Sequence, residues 1–198
     1  MADEMDSKDL AERVRLIESM MTEGRRKTES WGWSFVLWGV AYYVATAWAS
    51  WGKSNLAWPV TMVAAALITA IAASRMSKGQ PETTAGRAVG GVWAAMGIAI
   101  SVLLFSLAFA GRYDGHVFVA AIGAMLGLAN MASAIVLRWK AQYFCAVVWL
   151  ATTVVASFGS ETATMIAFLA AVFVGLIGFG IYAMMCESRR RQRGAVHA

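Results

Sequence analysis

The sequence predicts an all-α protein, a polytopic membrane bundle of six transmembrane helices with an amphipathic helix ahead of them. Three observations lead there. First, residues 30–52, 54–74, 88–111, 115–137, 141–160 and 162–186 contain no Asp, Glu, Lys or Arg. A helix rises about 1.5 Å per residue, so about 20 apolar residues cross roughly 30 Å of hydrocarbon; these runs hold 23, 21, 24, 23, 20 and 25 residues. Second, the 198-residue chain is 59% apolar and only 15% charged, whereas soluble domains carry about 25% charged residues. Third, the charges are segregated. Of 17 Lys and Arg residues, only Lys53 and Arg112 fall in the connections after the first and third runs; the other fifteen lie before the first run, after the second and fourth, or after the sixth. By the positive-inside rule both termini face the cytoplasm.

Residues 1–30 form the cytoplasmic element. Leu10, Val14, Ile17 and Met21 recur at spacings of four, three and four, with Asp9, Glu12, Arg13, Arg15 and Glu18 around them. That pattern is an amphipathic helix of about four turns. Asp3, Glu4, Asp6 and Asp9 at its start and Arg25, Arg26 and Lys27 at its end complement the helix dipole, and Gly24 marks a stop. Its apolar stripe suits a protein partner, a second copy or the lipid head-group layer; the many carboxylates favour protein contact through residues 7–24. The segment lacks the short apolar core of a signal peptide, so the first span is expected to act as its own insertion signal.

The transmembrane domain covers 31–188. Trp31, Trp33, Trp48, Trp51, Trp58 and Trp139 fall at span ends, where indole rings form interfacial belts. Trp38, Trp93 and Trp149 lie deeper, in the first, third and fifth spans, 55 and 56 residues apart. With the alternation of short outer turns and basic inner loops, that period predicts three tandem hairpins, 31–75, 87–138 and 141–188. Close helix approach in lipid needs small residues. Gly123 and Gly127 supply them in the fourth span, Ala167, Ala171 and Gly175 in the sixth, and Ala66, Ala70 and Ser74 in the second. Asn130 is the most polar residue deep in a span, and its amide is expected to bond across helices. Residues 189–198 form a basic cytoplasmic tail resting on anionic head groups, with no nucleic-acid role. Cys145 and Cys186 lie toward the cytoplasmic ends of their spans, where a disulfide is not expected.

Several chemistries lack their residues. Neither His116 nor His197 sits inside a span to ligate haem, and no span holds a Lys for a retinal Schiff base, a carboxylate for a proton relay, or a His pair with a carboxylate for zinc. The outer turn Arg112-Tyr113-Asp114-Gly115-His116, with Glu161 on another, is where titratable groups could converge, as a helix cap or as a weak metal or proton-sensing site.

The run Ile17-Glu18-Ser19-Met20-Met21 through Arg25-Arg26-Lys27, followed by Phe35-Val36-Leu37-Trp38-Gly39, resembles a family of uncharacterised bacterial six-span membrane proteins. Those proteins similarly begin with an amphipathic segment, a basic stretch and an aliphatic-Trp-Gly signature. The likeness covers about 35 residues and implies no catalytic residues. In its three-hairpin plan alone, the chain is also similar to the acid-resistance membrane protein family. The sequence thus points to a non-enzymatic bacterial inner-membrane protein without cofactors, with an interaction, scaffold or regulatory role. The alternative is a small transporter or channel for a neutral or apolar solute, which would line a cavity with Asn130, Thr46, Ser106 and the inner tryptophans.

Overall fold

The computed structural model describes residues 2–52, 56–76, 84–112 and 114–196, and the side chains among them except those of 2–8, 76, 108 and 194–196. Lys53, Lys78, Tyr113, His197 and the side chains of Asp3, Glu4, Asp6 and Lys8, which entered the charge and capping arguments, lie outside the described residues. The described chain is all-helical: α1 (Ala2–Ser30), α2 (Gly32–Gly52), α3 (Ala57–Met76), α4 (Thr84–Phe109), α5 (Gly115–Leu137), α6 (Lys140–Phe158), α7 (Glu161–Val172), a π-helical segment (Phe173–Gly178) and α8 (Phe179–Val196). The last three are continuous and form one rod.

Five helices are long and apolar enough to cross a membrane: Ala57–Arg75, Thr84–Leu107, Gly115–Leu137, Lys140–Phe158 and the rod Glu161–Arg193. The expected first span, α2, is not among them. It carries no charge and has 21 residues, but Trp33, Trp38, Trp48, Trp51, Tyr42 and Tyr43 lower its hydropathy.

At the centre, α5 and α6 form the most extensive helix pair, the α7–α8 rod packs on them, and α2 packs in turn on the rod. Buried and partly buried rings join the helices. Trp58 meets Phe118 at 4.9 Å, Tyr42 meets Phe168 at 5.7 Å, and Phe35 stands edge-on to both Trp93 and Phe179 at 5.0 Å. Edge-to-face rings at 4.5–7 Å add about 0.5–1.5 kcal/mol beyond the area they bury. The expected hairpins are present as the neighbouring pairs α2–α3, α4–α5 and α6–α7, yet the α5–α6 pair, which joins two hairpins, dominates. Helix α3 packs along α2, and α4 packs on α5 and α1. Both leave broad apolar faces outward, among them Val63, Leu67 and Ile71 on α3 and Ile98, Val102 and Phe105 on α4.

Four expectations are corrected. Helix α1 does not stop at Gly24 but continues to Ser30, because a hydrogen at that position lets α1 press on α5: a Cβ there would lie 2.7 Å from Leu137 Cδ2. Ala66, Ala70 and Ser74 face outward; the buried residues of α3 are Ala57 and Ala65, on the face turned to α2. Trp58 and Trp139 are not belt residues. Trp58 belongs to the aromatic centre, and Trp139 is buried against Phe179 and Tyr182, at 5.2 and 6.3 Å. The basic segment after residue 188 is helical through Val196, with Arg190 paired to Glu29 of α1 and Arg191 to Glu187.

Candidate functional site

Two regions combine polar groups with an unusual setting: the free half of α1, and a buried polar layer between α5, α6 and the π-helical segment.

The C-terminal half of α1 is pinned. Arg25 Nε–H donates to Leu137 O at 2.6 Å and its terminal N–H to Arg138 O at 2.5 Å, so one guanidinium caps two carbonyls at the α5–α6 turn. Arg138 itself adopts the left-handed region with φ 47°, closing α5 through N–H bonds to Ala134 and Ile135 carbonyls. Thr28 is buried and donates to Gly24 O at 3.1 Å. Residues 9–19, by contrast, are exposed on every face. Leu10 is 65%, Val14 48% and Ile17 51% exposed, while Met21 is half-buried. The stripe Leu10, Val14, Ile17, Met21 continues at the same spacing into Gly24 and Thr28, the buried face of the pinned half.

The α5–α6 contact is built on the two glycines of α5. A Cβ on Gly123 would lie 2.7 Å from Thr153 Oγ1 and 3.0 Å from Trp149 O, and one on Gly127 would lie 2.8 Å from Leu150 Cδ2. Thr153 Oγ1 also donates to Ala120 O at 3.3 Å. Trp149 fills the centre at 0% exposure, and Gly175 of the π-helical segment sits against its indole nitrogen, where a Cβ would collide. Trp93, partly buried on α4, donates from Nε1 to Ser133 Oγ at 3.0 Å, tying α4 to α5. Trp38 is partly buried against the core from α2. The three inner tryptophans therefore occupy three different environments despite their even spacing.

Asn130 is fully buried, but its Nδ2 donates to Leu126 O at 2.9 Å, one turn back on its own helix. Its Oδ1 has no partner. Neither do both amide atoms of Gln142, also at 0% exposure, nor Trp149 Nε1. Sequence reasoning missed Gln142 and Ser133. Gln142 is the second residue of an uncharged run, where a polar side chain reads as interfacial; the usable signal was its position three and seven residues before Cys145 and Trp149, on the same helix face.

At the opposite end, Asp114 caps α5, accepting from His116 N–H at 2.8 Å and Val117 N–H at 3.0 Å. These bonds, Val117's foremost, hold its carboxyl below the ordinary carboxylate range. His116 Nδ1 lies 3.0 Å from Ala156 O and 3.2 Å from Thr164 Oγ1. A carbonyl only accepts, so in the neutral ring Nδ1 carries the hydrogen. Among the described residues no three His, Cys, Asp or Glu side chains gather to hold a metal ion. Thr46, Thr69, Ser101, Thr152 and Ser157 each donate to a carbonyl one turn back on their own helix. Ser106 faces outward. No family model matches the chain, and no curated protein or solved structure matches it.

Proposed function

We propose that the protein is a non-enzymatic, six-span protein of the bacterial inner membrane, with both termini cytoplasmic, whose role is to present α1 to a protein partner. Membership of the uncharacterised six-span family is part of this reading and rests on the run from Ile17 through Gly39. The span that completes the six is α2, the first in the chain. Its contacts run antiparallel along the rod: Gly32 against Gly180, Gly39 against Ile177, and Tyr43 O–H donating to Leu169 O at 2.8 Å. A helix lying lengthwise on a 33-residue apolar rod shares its depth in the bilayer.

The observation that carries the role is the contrast between the two halves of α1. One half is fastened by Arg25, Glu29 and the close seat of Gly24 on Leu137, and the other stands exposed with an apolar stripe. Full burial of such side chains stabilises by roughly 1.5–3 kcal/mol each. Because the stripe runs directly into the docked face, a partner seated on it also abuts the end of the bundle that carries Arg138 and Lys140. The closed aromatic centre argues against a conduit: Thr46 is engaged with its own helix, Ser106 faces away, and Trp149 and Phe168 fill the middle.

The test is a photo-crosslinker at Ile17 in native membranes, with Val14→Lys/Ile17→Lys as the variant. The proposal expects a protein adduct from the crosslinker at Ile17 and, in the separate double-Lys variant, loss of the protein that co-purifies with the wild type, with insertion unchanged. Capture of lipid alone, with every wild-type co-purifying protein retained by the variant, contradicts it.

A further inference from the structure

We infer that the bundle binds water in a one-sided internal site formed by Asn130, Ser133, Gln142 and Trp149. The site is independent of the α1 proposal, because none of its residues lies on α1.

The helix register brings these groups together. Thr153 stands opposite Ala120 and Gly123, and Leu150 opposite Gly127. Continued along the antiparallel pair, that register sets Asn130 opposite Ala146 and Ser133 opposite Gln142. Helical side chains lean toward the N-terminus of their own helix, so Trp149 leans toward the level of Ala146 and Asn130 toward the level of Gly127. An unpaired donor, Trp149 Nε1, and an unpaired acceptor, Asn130 Oδ1, thereby lean toward one level, with Gln142 about two turns further along α6.

Burying an amide or indole polar atom without a partner is unfavourable, and here four such atoms occur on three fully buried side chains, Asn130, Gln142 and Trp149. They number two donors and two acceptors on side chains that carry no charge at any ordinary pH. That complement fits a small neutral molecule that both gives and takes hydrogen bonds; buried water makes about three such bonds. The π-helical segment lines the same layer through Gly175, and π-helical turns recur where helices make room at sites.

The site is closed in one direction by aromatic rings. Gln142 lies two residues from Lys140, at the end of the bundle with the Arg138 turn, whereas the ring cluster of Tyr42, Trp58, Phe118 and Phe168 fills the other half. Water therefore enters and leaves from the Arg138 end and does not pass through.

Nuclear magnetic resonance on the full chain, labelled with ¹⁵N-indole tryptophan in lipid nanodiscs, tests this. The Trp149 Nε1–H signal, assigned through Trp149→Phe, should show a cross-peak to water, and Asn130→Leu or Gln142→Leu should abolish it. Absence of that cross-peak in the wild type overturns the inference, as does a cross-peak unchanged in both variants. If either variant fails to insert, the wild-type spectrum alone decides.

Discussion

Gly123 and Gly97 are both glycines in the interior of apolar helices, and they predict substitutions of opposite sign. A Cβ on Gly123 meets the Trp149 carbonyl at 3.0 Å and Thr153 Oγ1 at 2.7 Å, whereas nothing lies within 4 Å of one on Gly97. Gly123→Ala should lower stability by about 1–3 kcal/mol, the scale of overpacking. Gly97→Ala should leave it unchanged or raise it by up to about 1 kcal/mol through helix propensity. Unfolding in detergent checks this, and equal effects would remove the reason for placing Gly123 at the contact. Gly127 is the more tolerant of the α5 pair, because its close neighbour is the Leu150 side chain, which can rotate away. A second residue-scale prediction concerns Asp114. Its carboxyl is held below the ordinary range in the folded state, so its cap contribution is present at neutral and mildly acidic pH. That contribution is lost as pH falls through the lowered value. Asp114→Asn should keep the cap and flatten that acid dependence; a variant whose stability falls with acid like the wild type would assign the dependence elsewhere. The glycines and the burial of Asn130 were legible in the sequence because each departs from an apolar background, but the expected bond from Asn130 across helices is replaced by one to Leu126 O on its own helix. Gln142 was not, since what buries it is the tertiary docking of the chain around the α5–α6 turn.

At the scale of elements, α1 was legible as a helix from its period and dipole charges, but its length was not. Gly24 looks like a stop when only the local chain is considered, and it becomes a contact once Leu137 is in place. Nothing local announces that Arg25 leaves the basic cluster to cap α5. Arg25→Ala should detach the pinned half: charge-assisted hydrogen bonds contribute about 1.5–3 kcal/mol, so amide exchange across 24–30 should rise while α5 and α6 stay protected. Uniform protection would mean that Gly24 and Glu29 suffice to hold α1. The π-helical segment was equally silent. Its residues Phe173–Gly178 read as an ordinary stretch of the sixth span, and the departure from α geometry goes with the seating of Gly175 on Trp149.

At the scale of the molecule, the uncharged runs foretold an all-helical chain with several segments able to cross a bilayer, while the spatial order of those segments was hidden. A period of 55 and 56 residues suggests equal hairpins, yet the glycines of α5 bind it more extensively to α6 than to its own hairpin partner. Repeats in sequence describe connectivity, and packing follows the small residues. The crossing of α2 decides the whole topology, because six crossings leave both termini on one side and five leave them on opposite sides. The most direct measurement is a pair of fusions of a reporter active only outside the cytoplasm, one inserted after Leu56 and one at Ala198. A six-span protein with cytoplasmic termini gives activity at Leu56 and none at Ala198; equal outcomes at the two positions, or activity at Ala198, would contradict it.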